Sequence, residues 1–158
     1  MTRTGIGYDS HRLVAGRPLV LGGVHIPFEL GLAGHSDADA VAHALTDALL
    51  GAAAAGDIGT LFPDTDPRWK DADSLTLLTL ACAAVRERGF MPQQADITVI
   101  AERPRLGPHF PAMTERLSRA SGIPADAIGL KAKTNEGMGW IGRGEGIAVI
   151  AVATIGVV

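Results

Sequence analysis

The sequence predicts a two-layer α+β sandwich: a mixed β-sheet covered on one face by about three helices, with residues 1–158 forming one domain. Strand-like segments interleave with segments whose apolar residues recur at helical spacing, and a hairpin pattern sits near the N-terminus. No linker, repeat or low-complexity tract interrupts them. A chain of 158 residues suits one core, since domains cluster near ~100–150 residues. Hydrophobic residues at 47% and charged residues at 20% exclude a disordered tail.

The elements follow in order. Thr4–His11 joins β-compatible residues to glycines and reads as a strand, ended by Gly16-Arg17-Pro18. Leu19–Leu21 and Val24–Ile26 pair as a hairpin around Gly22-Gly23. From Asp37 to Ala55, Val41, Leu45, Ala48, Leu49 and Ala52 mark a helix, with Ser36 or Asp37 as cap and Gly56 as stop. Asp57–Asp73 has neither a helical nor a strand period and predicts a long loop, a common seat of function. A second helix is expected from Ser74 to Arg88, capped by Asp73 or Ser74 and stopped by Gly89, then a strand over Ala95–Ala101. A third, from Pro108 to Ser121, tolerates prolines in its first turn. Ala127–Lys133 and Gly146–Val157 supply the last strands, joined by the glycine-rich turn from Gly137 to Gly144.

A net charge of −3 and a pI near 5.9 exclude the broad basic surface that nucleic-acid binding requires, so an anionic ligand needs local cations. Cys82 is the only cysteine, which rules out an internal disulfide; its apolar, helical setting predicts a packed thiol in a reducing, cytoplasmic compartment. The N-terminus runs straight into strand-like sequence without a signal or transit pattern, so a mature chain is expected. Ile147–Val158 is the most apolar stretch and falls short of the ~20 residues a membrane helix needs, so no membrane partner is expected.

Asp9 and His11 lie two apart in a strand-like segment, so their side chains face the same side and can converge on one ion. A carboxylate–imidazole hydrogen bond at a strand end would use the same pair. His43 sits on the first helical segment with Asp39 and Asp47 one turn away on its face; a capped or core histidine also fits there. Together Asp9, His11 and His43 would give two nitrogens, one oxygen and a vacant fourth position, the pattern of catalytic zinc.

His35-Ser36-Asp37-Ala38-Asp39 precedes a helix N-terminus, where exposed N–H groups favour a phosphate, although capping selects the same residue types. Asp57, Gly59 and Phe62-Pro63-Asp64-Thr65-Asp66 join rigid turns to acceptors suited to sugar hydroxyls or a cation, and turn chemistry alone selects such residues too. Lys131-Ala132-Lys133-Thr134-Asn135-Glu136 leaves a strand with cations, a hydroxyl and a carboxylate suited to a diphosphate and a hard divalent metal, or to a solvated strand end.

Gly7-Tyr8-Asp9-Ser10-His11, His35–Asp39 with His43, Gly56-Asp57-Ile58-Gly59, Phe62–Asp66 and Gly142-Arg143-Gly144-Glu145-Gly146, in that order, resemble the 2-C-methyl-D-erythritol 2,4-cyclodiphosphate synthase family over essentially the whole chain. The resemblance implies conversion of 4-diphosphocytidyl-2-C-methyl-D-erythritol 2-phosphate to the cyclic diphosphate and CMP, in the non-mevalonate isoprenoid pathway. It implies zinc on Asp9, His11 and His43, and magnesium or manganese on Glu136 with the substrate diphosphate. His35 and Thr134 match the transition-state stabilisers, and Ser36 lies against the 2-phosphate. Asp57, Ile58 and Gly59 match residues around the erythritol hydroxyls, with Phe62, Pro63, Asp64, Thr65 and Asp66 as a neighbouring substrate loop. Ala101, Glu102, Arg103, Pro104, Arg105, Leu106 and Gly107 match the cytidine segment. Ser10, Lys133, Asn135, Trp140 and Arg143 complete the implied substrate contacts.

The same resemblance implies a homotrimer with sites between subunits, and a central apolar cavity to which Arg143 and Glu145 contribute and which accepts an isoprenoid diphosphate as a feedback ligand, although the two residues could also simply pair there. The sequence departs from the family pattern in three places. Lys133-Thr134-Asn135-Glu136 replaces Thr-Thr-Thr-Glu, Arg105 replaces Lys, and Trp140 replaces Phe. Two other functions use the same residues. A zinc phosphodiesterase or hydrolase would activate water at the open metal position. A non-catalytic trimer would bind nucleotides or isoprenoid diphosphates, but structural zinc usually takes four protein ligands and no convincing fourth is present.

Overall fold

Two glycines of the first strand determine how the layers meet. In the computed structural model, which describes residues 1–158, that strand (β1, Thr2–Val14) lies under a helix (α1, Ala40–Ala52). A Cβ at Gly5 would stand 2.0 Å from the Ala48 carbonyl oxygen, and one at Gly7 1.9 Å from that of Ala44. Only a residue without a side chain permits this approach. Successive strand residues alternate faces, so Gly5, Gly7, Asp9 and His11 all point toward α1, while Ile6 and Tyr8 point away.

The remaining elements are β2 (Leu19–Leu21), β3 (Val24–Ile26), β4 (Gly31–Leu32), α2 (Ile58–Leu61), α3 (Ser74–Glu87), β5 (Phe90–Ile100), α4 (Phe110–Ser121), β6 (Ile128–Lys133), α5 (Gly139–Gly142) and β7 (Gly146–Val157). The main sheet has the order β4-β1-β7-β5-β6; β5 and β6 run parallel and the other pairs antiparallel. β2 and β3 form the expected hairpin as a separate sheet. The core lies between α1 and the sheet, filled by Leu45, Leu49, Ile97, Ile147, Val149 and Ile155, with Leu78, Met113 and Leu117 joining from α3 and α4. Each fully buried Leu or Ile contributes ~1.5–3 kcal/mol. Cys82 is buried, and burial pushes its thiol up to about 11, as a packed residue requires. The mixed sheet and helical layer match the predicted class.

Boundaries differ where the backbone makes sharp turns. The first helix starts at Ala40 with Asp39 as its cap, because Ala38 is left-handed at φ 58° and ends any helix running back toward Asp37. Ala54, left-handed at φ 52°, breaks the helix before Gly56. Asp39 is fully buried and accepts hydrogen bonds from the N–H groups of Ala42 (3.0 Å), Gly22 (2.9 Å) and Gly23 (2.7 Å), which ties the hairpin to α1. Burial pushes its carboxyl up to about 6 against those donors.

The segment 57–73 is not a bare loop: it holds α2, capped by Asp57, and a 3₁₀ turn at Pro67–Trp69 capped by Asp66. Single turns are too short to display a period. β5 starts at Phe90, before the expected Ala95, and a bulge between Pro92 and Gln94 breaks the alternation that would have marked it. The third helix opens as a 3₁₀ turn at Gly107–His109.

Gly7→Ala should destabilise the fold by about 3 kcal/mol or more, because the added methyl meets helix backbone. Gly51→Ala, in the same helix with open space around its Cβ, should stabilise it by about 0.5–1 kcal/mol. Urea unfolding midpoints measure both.

Candidate functional site

The close approach of α1 brings His43 onto Asp9 and His11. Asp9 Oδ2 lies 2.8 Å from His11 Nε2 and 3.2 Å from His43 Nδ1, and the two ring nitrogens are 3.3 Å apart. Tetrahedral zinc, with bonds near 2.0–2.1 Å, sets its ligand atoms about 3.3 Å apart, so the two sides that meet at His43 have the length that such an ion needs and the Asp9–His11 side, at 2.8 Å, is tighter. Burial works to raise the Asp9 pKa, but the two imidazoles against its carboxylate outweigh it and hold the carboxyl below its usual range. Burial likewise works to lower the His11 pKa, and the hydrogen bond and charge of Asp9 raise it instead. An anionic oxygen and two imidazoles thus converge on one point.

The outward nitrogens are also held. His11 Nδ1 donates to the Ala33 carbonyl at 2.8 Å, so the neutral ring carries its lone pair on Nε2. His43 Nε2 lies 2.8 Å from Ser74 Oγ and 3.2 Å from Ser36 Oγ. Ser74 meets the Asp37 carboxylate through both its hydroxyl and its N–H (3.1 Å). Neither Asp39 nor Asp47 reaches the His43 ring: Asp39 binds the hairpin, and Asp47 accepts from the Ile58 N–H at 2.7 Å.

Asp37 therefore serves the start of α3 and not the cap of α1. Ser74 was readable from the sequence only as a helix-cap candidate, because nothing in its local pattern points to a histidine 31 residues away.

An open cavity of about 440 Å³ adjoins the triad, lined by His11, His35, Ser36 and His43 with Ile58, Gly59, Phe62, Pro63 and Asp64. Trp69 and Leu77, not singled out in the sequence, also line it; Trp69 packs edge-on against Phe62 at 5.0 Å. The Arg17 guanidinium fixes one wall by donating to the carbonyls of Gly34 (3.2 Å) and Ser36 (2.8 Å). His35 Nε2 contacts the Asp66 carbonyl at 3.2 Å. Asp57 is turned back to cap α2 through Thr60, Asp66 pairs with Arg68, and Thr65 is exposed outside the lining.

The remaining expected residues lie elsewhere on the same sheet. Ser10, Ala148, Ile100 and Lys133 form one row across β1, β7, β5 and β6, which puts Lys133 three strands from the triad, on the order of 14 Å. Ala101 donates to the Lys133 carbonyl at 2.9 Å, and Glu102 accepts from the N–H groups of Asn135 (2.7 Å) and Gly137 (3.2 Å). The 101–107 and 133–137 segments thus form one unit.

Within that unit Arg103 pairs with Glu29 and covers Phe28, the Arg103–Pro104 peptide is cis, Leu106 is buried, and Arg105 and Gly107 are exposed. Glu136 is left-handed at φ 52°, and the Thr134 hydroxyl accepts its N–H. Trp140 shares a smaller cavity with Ser10, His11, Arg12 and Glu145, and Arg143 pairs with Glu145. None of these residues lines the 440 Å³ cavity.

Comparison with known proteins agrees with the geometry. The YgbB family model matches residues 2–156. A 2-C-methyl-D-erythritol 2,4-cyclodiphosphate synthase of Symbiobacterium thermophilum is 59% identical over 151 residues, 96% of each chain. A solved 2C-methyl-D-erythritol-2,4-cyclodiphosphate synthase in its CDP-bound form superposes with a TM-score of 0.89 at 47% identity, covering 98% of this chain and 100% of that one. The bifunctional IspDF of Campylobacter jejuni superposes at 0.96 with 44% identity over all of this chain, which spans 43% of that longer one. This chain belongs to the YgbB family, that of the 2-C-methyl-D-erythritol 2,4-cyclodiphosphate synthases.

Proposed function

We propose that this chain catalyses the intramolecular closure of 4-diphosphocytidyl-2-C-methyl-D-erythritol 2-phosphate. An oxygen of the 2-phosphate attacks the β-phosphorus, the bond from that phosphorus to the bridging oxygen breaks, and CMP leaves with the electron pair. The cyclic diphosphate is the other product. The observation that carries this reading is the Asp9–His11–His43 triangle, sized for a metal and opening on a cavity, in a chain of this family. Joining two anions is the difficulty, so positioning and charge neutralisation must do most of the catalysis.

Asp9, His11 and His43 would hold zinc, and Glu136 a magnesium or manganese ion on the diphosphate. When bound, these cations would supply positive charge to the phosphate oxygens. His35, on the cavity wall, can donate to the attacking phosphate, while the Ile58–Gly59 and Phe62–Asp64 walls enclose the sugar. The Thr134 hydroxyl already accepts one N–H, so its own proton is free for a phosphate oxygen, and Lys133 adds a cation beside it. The 101–107 segment would hold the cytidine.

The reading includes a homotrimer with each site shared between chains. Two facts support it. The sheet face away from the helices exposes Ile6, Tyr8, Ile150 and Val152, with Ile6 opposite Val152 and Tyr8 opposite Ile150. Lys133, in the other unit, also stands on the order of 14 Å from the triad across three strands, farther than two metals on one diphosphate would lie from each other. At the centre of such a trimer, Arg143 would take an isoprenoid diphosphate. No helix is long and apolar enough to cross a membrane. The free, buried Cys82 supports a reducing, cytoplasmic setting for the activity.

Phosphorus NMR with magnesium and the cytidyl substrate should show a ring-closed diphosphate appearing in step with CMP. Chelation should stop it, and His43→Ala should slow it by more than about 10²-fold. Open-chain products would favour a hydrolase instead. Calorimetry with an isoprenoid diphosphate should show binding that Arg143→Ala removes; unchanged binding would refute that role.

A further inference from the structure

We infer that Ser74, held by Asp37, is a positioning residue that fixes the His43 imidazole in the tautomer protonated at Nε2 and so presents the Nδ1 lone pair to a divalent metal. This rests on the metal-centre reading above and adds to it the device that sets the ligand atom.

The argument follows the protons. A carboxylate only accepts, so at the Asp37 contact the Ser74 hydroxyl must donate. The Ser74 N–H donates to the other Asp37 oxygen at 3.1 Å, which fixes the carboxylate across the start of α3. With its proton committed, Ser74 Oγ can only accept from His43 Nε2, 2.8 Å away. Asp9 Oδ2, 3.2 Å from Nδ1, competes for the same proton over a longer contact; held at Nε2 by the 2.8 Å bond to Ser74, that proton leaves the Nδ1 lone pair facing Asp9 Oδ2 and His11 Nε2, the other two corners of the triangle. Ser36 Oγ, at 3.2 Å from Nε2, is a longer second contact and itself accepts the Ala38 N–H. Ser74 is fully buried, so water does not compete for these bonds.

His11 reaches the same end more simply, because its outer nitrogen faces a carbonyl. His43 faces a hydroxyl, which can donate or accept, and only the carboxylate behind that hydroxyl settles the direction. The chain carboxylate–hydroxyl–imidazole extends the carboxylate–histidine–metal arrangement by one link. Loss of such outer partners costs ~10–100-fold in metal affinity.

The test uses the full-length protein, metal-free and then titrated with zinc. Long-range ¹⁵N NMR of the imidazoles should find His43 protonated at Nε2 in the metal-free protein. In Ser74→Ala the proton should distribute over both nitrogens, and the zinc Kd, measured against a chromophoric chelator, should rise on the order of 10–100-fold. Ser74→Thr, which keeps the hydroxyl, should restore both readouts, and Asp37→Asn should weaken zinc in the same direction as Ser74→Ala if the latter fails to fold. Urea unfolding in chelator separates these effects from a general loss of stability.

A wild-type His43 protonated at Nδ1, or a Ser74→Ala protein with unchanged tautomer and zinc Kd, overturns the inference and leaves the metal centre standing. If wild-type protein takes up no zinc, or His43→Ala takes it up equally well, the metal-centre reading itself fails.

Discussion

Helix α1 lies directly on β1, backbone against backbone, at the two points where β1 has no side chain. Gly5 and Gly7 permit this contact, and Asp9 and His11 continue the same face of the strand as it leaves the glycines. His43 precedes Ala44, the residue whose carbonyl rests against Gly7. A wider separation of helix and strand would move His43 out of reach of the other two ligands. The metal triangle is therefore a consequence of layer packing, in which a site built on regular elements inherits their rigidity.

Polar ties keep that geometry from sliding. Asp39 binds the β2–β3 hairpin to the first turn of α1, Arg17 holds the carbonyls of the 34–36 segment, and Asp37 joins that segment to the start of α3. Each uses an ionised side chain on backbone groups, which is among the stronger kinds of hydrogen bond available. The wall of the cavity and the outer side of His43 are thus fixed by residues that never touch the open face of the triad.

Much of this was legible in the sequence. The spacing of Asp9 and His11 in a strand follows from the two-residue alternation, and His43 could be put on a helix by the apolar pattern around it. What spacing could not supply was their meeting, which depends on a glycine contact between elements far apart in the chain. The role of Ser74 was hidden for the same reason, since a serine at a helix start looks like a cap whatever lies beyond it. The segment 57–73 reads as loop in the sequence because α2 and the Pro67–Trp69 turn are shorter than any period that reveals them. Ser36 and Asp37 are the capping candidates that the sequence offers, and the left-handed Ala38 that follows them moves the cap of α1 to Asp39.

One chain carries two groups of polar residues on the same end of its sheet, separated by strands whose side chains cannot bridge them. The triad and its cavity form one group, and the 101–107 and 133–137 unit, stapled by Glu102, forms the other. The exposed apolar pairs of β1 and β7 offer a face on which a second copy can close. Subunit complementation tests this sharing most directly. His43→Ala and Glu136→Ala chains, each inactive alone, would be unfolded together and refolded as a mixture. With sites shared between chains, random assembly leaves about a quarter of them intact on both sides, and about a quarter of wild-type activity should return. A mixture no more active than its parents would contradict the account, because it would mean that each chain builds its whole site alone.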